Sequence, residues 1–125
     1  MQDIILSETG GLQEHQRLLK VAENNIREIG SHLTQYKINR MNARSKYDDL
    51  LSTAKIMAIA QYGLKLNHQT IINAYAAAHD EVKKAKQEWL NCKAIEIKTV
   101  DQLEQQQGMR DTLKLLCKSE HESYR

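Results

Sequence analysis

The side chains best suited to catalysis or metal binding are five histidines, His15, His32, His68, His79 and His121, and two cysteines, Cys92 and Cys117. Ligands carried by a helix must sit at i, i+3 or i+4 to share one ion. No two of these histidines have that spacing, and none follows a glutamate by three. The pattern predicts solvated or seam-edge imidazoles rather than ligands. The chain also lacks a glycine-rich phosphate loop and a nucleophile elbow. The residues therefore predict a non-enzyme with no catalytic residue, no metal and no cofactor.

Charge points to protein partners. Eighteen Lys and Arg against sixteen Asp and Glu leave a net +2, and the halves share it evenly, with 8 basic and 7 acidic residues in 1–62 and 10 and 9 in 63–125. A nucleic-acid binder concentrates basic charge, because phosphate neutralisation supplies most of its affinity. No apolar stretch approaches the ~18 residues a membrane span needs, and no basic, apolar and small-residue leader opens the chain. The expectation is a soluble, cytoplasmic protein with neither nucleic acid nor a membrane span among its partners.

The elements that must position these side chains follow from periodicity. The 125 residues include no proline, and long helix-forming side chains dominate over the 5% that are aromatic, which excludes a sheet protein. A 3,4 spacing runs through Leu12, His15, Leu19, Ala22, Ile26, Ile29, Leu33, Tyr36, Arg40, Ala43, Tyr47, Leu50, Ala54 and Met57. Such a seam is the pattern of a coiled coil. Gly63 can end the helix in the left-handed region, with Leu64 folding back on Ile59. Asn67 then offers an N-cap, with Leu66 and Ile71 as a hydrophobic staple. A second seam reads Ile71, Tyr75, Ala78, Val82, Ala85, Trp89 and Cys92, then drifts through Thr99, Val100, Leu103, Met109, Leu113 and Leu116.

A connection this short predicts an all-α, two-helix antiparallel coiled-coil hairpin occupying 1–125 as one domain, with helix 1 at about 7–62, the turn at 63–66 and helix 2 at about 67–123. Equal distances from the turn place Leu50 near His79, Leu33 near Glu96, Leu19 near Arg110, and Arg40 opposite Trp89. Arg40 would either snorkel past the seam or make a cation–π contact with Trp89. Cys92 and Cys117, 25 residues apart on one helix, would be separated by roughly 37 Å, too far for a disulfide. Two surfaces stand out. Arg17, Lys20, Arg110, Lys114 and Lys118 gather basic charge at one end, while Tyr47, Leu51, Tyr62, Leu64 and Ile71 surround the turn and offer an apolar docking surface.

Residues Val82 to Lys93 (VKKAKQEWLNCK), then Leu103-Glu104-Gln105-Gln106-Gln107, and the ending Glu120-His121-Glu122-Ser123-Tyr124-Arg125 resemble the second helix of the flagellar FliJ and virulence YscO stalk proteins. The likeness lies in a Trp on the second arm, a following Leu-Glu, and a charged C-terminal helix. Glutamines stand at 105–107 where members often carry arginine. The resemblance implies a central stalk in the pore of the hexameric ATPase of a type III secretion system, stimulating ATP hydrolysis and linking the ring to the cytoplasmic domain of the export gate. It further implies secretion chaperones as partners and a place in the cytoplasm, peripheral to the secretion apparatus at the inner membrane. Under it, the basic residues become the ATPase interface and the turn residues the export-gate interface. The competing expectation is a secreted or chaperone-like helical hairpin acting as an interaction module.

Overall fold

The computed structural model describes residues 1–4, 11–65 and 67–123. They form three α-helices, α1 (Leu12–Tyr62), α2 (Gln69–Ala78) and α3 (Asp80–Ser123), and no strand occurs among them. The expected start of helix 1 near residue 7 lies outside the described residues. The described residues are all-α, but they form three helices and not the two-helix coiled-coil hairpin expected from the periodicity.

α1 runs for 51 residues because nothing in it interrupts the ladder of backbone hydrogen bonds; it contains no proline, and Glu14 in the first turn favours the positive end of the helix dipole. It stops where Gly63 takes a φ of 62°, a conformation that costs glycine little. The connection to α2 extends to His68 rather than ending at residue 66. Its turn is closed by the His68 ring, whose Nδ1 accepts the Lys65 N–H at 3.1 Å, and the His68 carbonyl accepts the first α2 bond from Ile72 at 3.0 Å. His68 thus takes the N-terminal position expected for Asn67. The staple involving Leu66 lies outside the described residues, and Ile71 is exposed.

The hairpin expectation fails at His79. Its backbone is extended, with ψ 131°; its N–H bonds back to Ala76 at 3.2 Å while its carbonyl accepts from Lys83 at 3.0 Å. One residue therefore closes α2 and opens α3, and Asp80 and Glu81 supply acidic charge to the new N-terminus. An extended residue does not advance the helical phase by 100° as a helical one does. Ile72 and Ala76 are consequently buried, while Ile71, Tyr75 and Ala78, the expected seam, are exposed. A continuous heptad on both arms, which a coiled coil requires, is absent.

The chain divides into two compact units. The first comprises Met1–Gln35 with Ile97–Arg125, and its core joins Leu18, Ala22 and Leu113, with Ile4 and Leu19 packed against them. The second is Tyr36–Glu96, where Ala54, Ala76 and Val82 meet Tyr47, Leu50 and Leu51. Within each unit α1 and α3 run antiparallel, as the pairs His15–Glu120 and Asn25–Gln106 show in the first and Arg40–Glu96 and Tyr47–Trp89 in the second. The register differs from the expected one. Leu113, not Arg110, comes to the face occupied by Leu18 and Ala22, and Glu96 pairs with Arg40, not Leu33. The longer connection and the extended His79 both consume residues, so a given α1 position meets a later residue of the second arm.

Candidate functional site

Packing in the first unit decides where its basic residues point. Leu18 and Ala22 turn toward Leu113, and at 100° per residue Arg17 and Lys20 fall on a different face of α1. With Gln13, Gln16, Leu19 and Glu23 they line an open groove to which α3 contributes nothing. Arg110, Lys114 and Lys118 repeat every four residues and form a separate stripe along α3. Arg17 and Lys20 thus share the α1 groove, and Arg110, Lys114 and Lys118 follow one another along α3.

These charges are not equivalent. The Arg17 guanidinium binds both oxygens of Glu14, at 2.6 and 3.1 Å. That hydrogen bond holds the Glu14 carboxyl below its usual range and raises Arg17 above its own. Arg110 is half-buried and pairs with the adjacent Asp111 at 3.1 Å. Lys20, Lys114 and Lys118 are exposed.

The first unit also holds a polar pair that the histidine spacing gave no reason to expect. His15 is wholly buried, and its Nδ1 lies 2.5 Å from Glu120 Oε1. Burial, and secondarily the Glu120 charge, push the neighbouring Cys117 thiol above its ordinary value. Both cysteines are free. Among the described residues no three of His, Cys, Asp and Glu are grouped to hold a metal ion.

In the second unit the five turn-proximal candidates separate into two groups. Tyr47 stacks on Trp89, with centroids 5.8 Å apart and planes 10° from parallel, and Leu51 packs on the Ala54–Ala76–Val82 core. Both serve the interior. Tyr62 is 51% and Ile71 55% exposed, with Leu64 half-buried in the connection. Tyr75, which periodicity assigned to the seam, joins this surface instead. Its ring meets Tyr62 edge-on at 4.7 Å, and the two hydroxyls hydrogen-bond at 2.5 Å. The Tyr62 hydroxyl raises the Tyr75 phenol above its ordinary value. Ile56 and Met57 are also exposed on α1, the latter because Ala58 takes the buried position expected for Met57.

Two cations lie over Trp89, and Arg40, for which either snorkelling or this contact was open, is neither of them. Arg44 lies 4.3 Å from the ring and Lys93 5.6 Å from it, while Arg40 pairs with Glu96. The residue one turn further along α1 makes the contact because of the shift in register.

The burial of two polar residues of the first unit was not anticipated from the sequence, where Gln106 entered only as part of a glutamine run. Asn25 and Gln106 are buried and hydrogen-bonded to each other at 3.1 Å. A search for apolar period passes over them, since it selects Ile26 and Met109 nearby. Among the described residues no helix is long and apolar enough to cross a membrane. No family model, curated protein or solved structure matches the chain.

Proposed function

We propose that the chain works by binding rather than by catalysis, as a stalk component that engages the hexameric ATPase of a type III secretion system through its first unit and the export gate through its second. The observation that carries this reading is the contrast in chemistry between the surfaces of the two units. Exposed long basic side chains such as Lys114 and Lys118 suit repeated, shallow contacts with an acidic ring interior. The surface of Tyr62, Ile71 and Tyr75 is apolar with a polar hydroxyl rim, the composition of a protein contact. The resemblance of residues 82–125 to the FliJ and YscO stalks supplies the identity of the partners, with secretion chaperones as additional ones and a location at the cytoplasmic side of the inner membrane.

The test is reconstitution with a type III ring ATPase and an export-gate cytoplasmic domain. Reversing charge at Arg110, Lys114 and Lys118 together should abolish stimulation of ATP hydrolysis while helicity by circular dichroism is kept. Changing Tyr62 and Ile71 to serine should weaken gate binding and leave stimulation intact. Stimulation unaffected by charge reversal would remove the α3 stripe from the ATPase interface. Failure of the wild-type chain to bind either machine would favour a chaperone-like helical interaction module.

A further inference from the structure

Buried carboxamides are costly unless each of their polar groups is satisfied, and the partners that satisfy Asn25 are unusual. Its Oδ1 accepts the backbone N–H of Gln2 at 3.3 Å, and its Nδ2 donates to the Gln2 carbonyl at 2.9 Å and to Gln106 Oε1 at 3.1 Å. Two N–H groups and one oxygen are thereby all used. The N–H and C=O of a single residue point the same way in extended backbone, and paired strands exchange bonds through this pair of groups. Asn25 reproduces that exchange with a side chain. Gln106, itself buried, fixes the plane of the amide.

We propose that Asn25 and Gln106, with the adjoining Leu18–Ala22–Leu113 cluster, form a binding site for the main chain of an extended peptide, and that residues Met1–Ile4 fill it as an internal ligand. The Asn25 clamp reads backbone, so it is indifferent to the side chain at the clamped position. Selectivity comes from a flanking contact, since Ile4, two residues on, packs against the apolar cluster. The ligand is therefore an extended segment with a branched aliphatic side chain two residues after the clamped one. A tethered ligand acts at an effective concentration in the millimolar range, so an external segment of the same chemistry binds once the internal one is displaced.

The test uses the full-length chain carrying Gln2→Pro, which removes the donated N–H, and Ile4→Asp, which removes the apolar anchor. The probe is the synthetic peptide Met-Gln-Asp-Ile amide, followed by the side-chain amide resonances of Asn25 and Gln106 in an isotope-labelled sample. Saturable shifts of both resonances are expected in the variant, and in the wild-type chain only at roughly ten-fold or higher peptide concentration, where the tethered segment is outcompeted. A peptide N-methylated at its glutamine should bind roughly ten-fold more weakly, since it cannot donate to Asn25. Resonances unmoved in both chains, or equal binding of the methylated peptide, would overturn the proposal. The methylated peptide leaves the protein unaltered, and the wild-type titration stands on its own should the variant misfold.

Discussion

Replacing Arg44 by methionine tests the register on which the second unit depends. The guanidinium carbon of Arg44 lies 4.3 Å from the Trp89 ring and 5.5 Å from that of Tyr47, while Asp48 holds the same group at 3.1 Å. Arg44 is exposed and Trp89 half-buried, so the contact belongs near the lower end of cation–π energies, about 0.5–1 kcal/mol. Methionine keeps the apolar stem while removing the charge. The loss of the Asp48 pair cancels in a double-mutant cycle with Trp89→Leu, because it occurs on both sides of the cycle. Urea unfolding followed by far-ultraviolet circular dichroism should then give a coupling of about 0.5–1 kcal/mol for Arg44 with Trp89. The parallel cycle with Arg40→Met should give about 0.3 kcal/mol or less, the level of ordinary non-additivity. For 125 residues a change of 1 kcal/mol corresponds to roughly 4 °C in melting temperature, so the difference is also measurable by calorimetry. A larger coupling for Arg40 than for Arg44 would refute the reasoning, because it would return the helices to the register expected from equal counting about the turn.

Leu113→Ala removes a side chain with no exposed surface and should cost about 2–5 kcal/mol, whereas Leu115→Ala, at a position 69% exposed, should change stability by about 0.5 kcal/mol or less; equal losses in calorimetry would mean that α3 is rotated from the face described. Tyr62→Phe should bring the Tyr75 phenol back toward its ordinary value, as read by ultraviolet titration. The sign follows from the neutral form: the Tyr62–Tyr75 hydrogen bond contributes fully below the ordinary tyrosine value of 10.0 and is lost as pH rises through the raised value. A Tyr75 titration unchanged by the substitution would show the hydroxyl contact to be absent in solution. Cys117 should react with a disulfide reagent more slowly than an unstructured thiol at the same pH, and denaturant should abolish the difference, since burial is the main cause of its raised value.

Much of α1 was legible in the sequence because its burial follows a single uninterrupted period. Ala22, Ile29, Leu33, Ala43 and Ala54 were all expected on the seam and are buried, and Gly63 ends the helix by the left-handed turn that only glycine takes cheaply. The break at His79 was not legible, since neither proline nor glycine marks it. The available signal was electrostatic, in the acidic Asp80 and Glu81 that suit a helix start better than a helix interior. Register was illegible for a related reason: it depends on the residues consumed between helices, and periodicity is silent on these. At the candidate surfaces, residue type identified basic and aromatic side chains, but the face each occupies depends on the neighbour that packs beside it. Tyr47 and Leu51 therefore turned inward and Tyr75 outward, while the burial of Asn25 and Gln106 went unnoticed because polar burial leaves no trace in an apolar pattern.

The single extended residue between α2 and α3 bears on how this chain tolerates changes in length. Within a helix, adding or removing one residue disturbs every contact beyond it, but at His79 both helices already end, so neither would have to be broken. What such an event alters is rotation. A residue gained or lost in helical conformation at the end of α2 turns its faces by about 100°, exchanging the face of Ile71 and Tyr75 for that of Ile72 and Ala76. Descendants differing by one residue at this point would keep the same three helices while presenting a different surface to their partners, and comparing them position by position without a gap there would match buried residues to exposed ones.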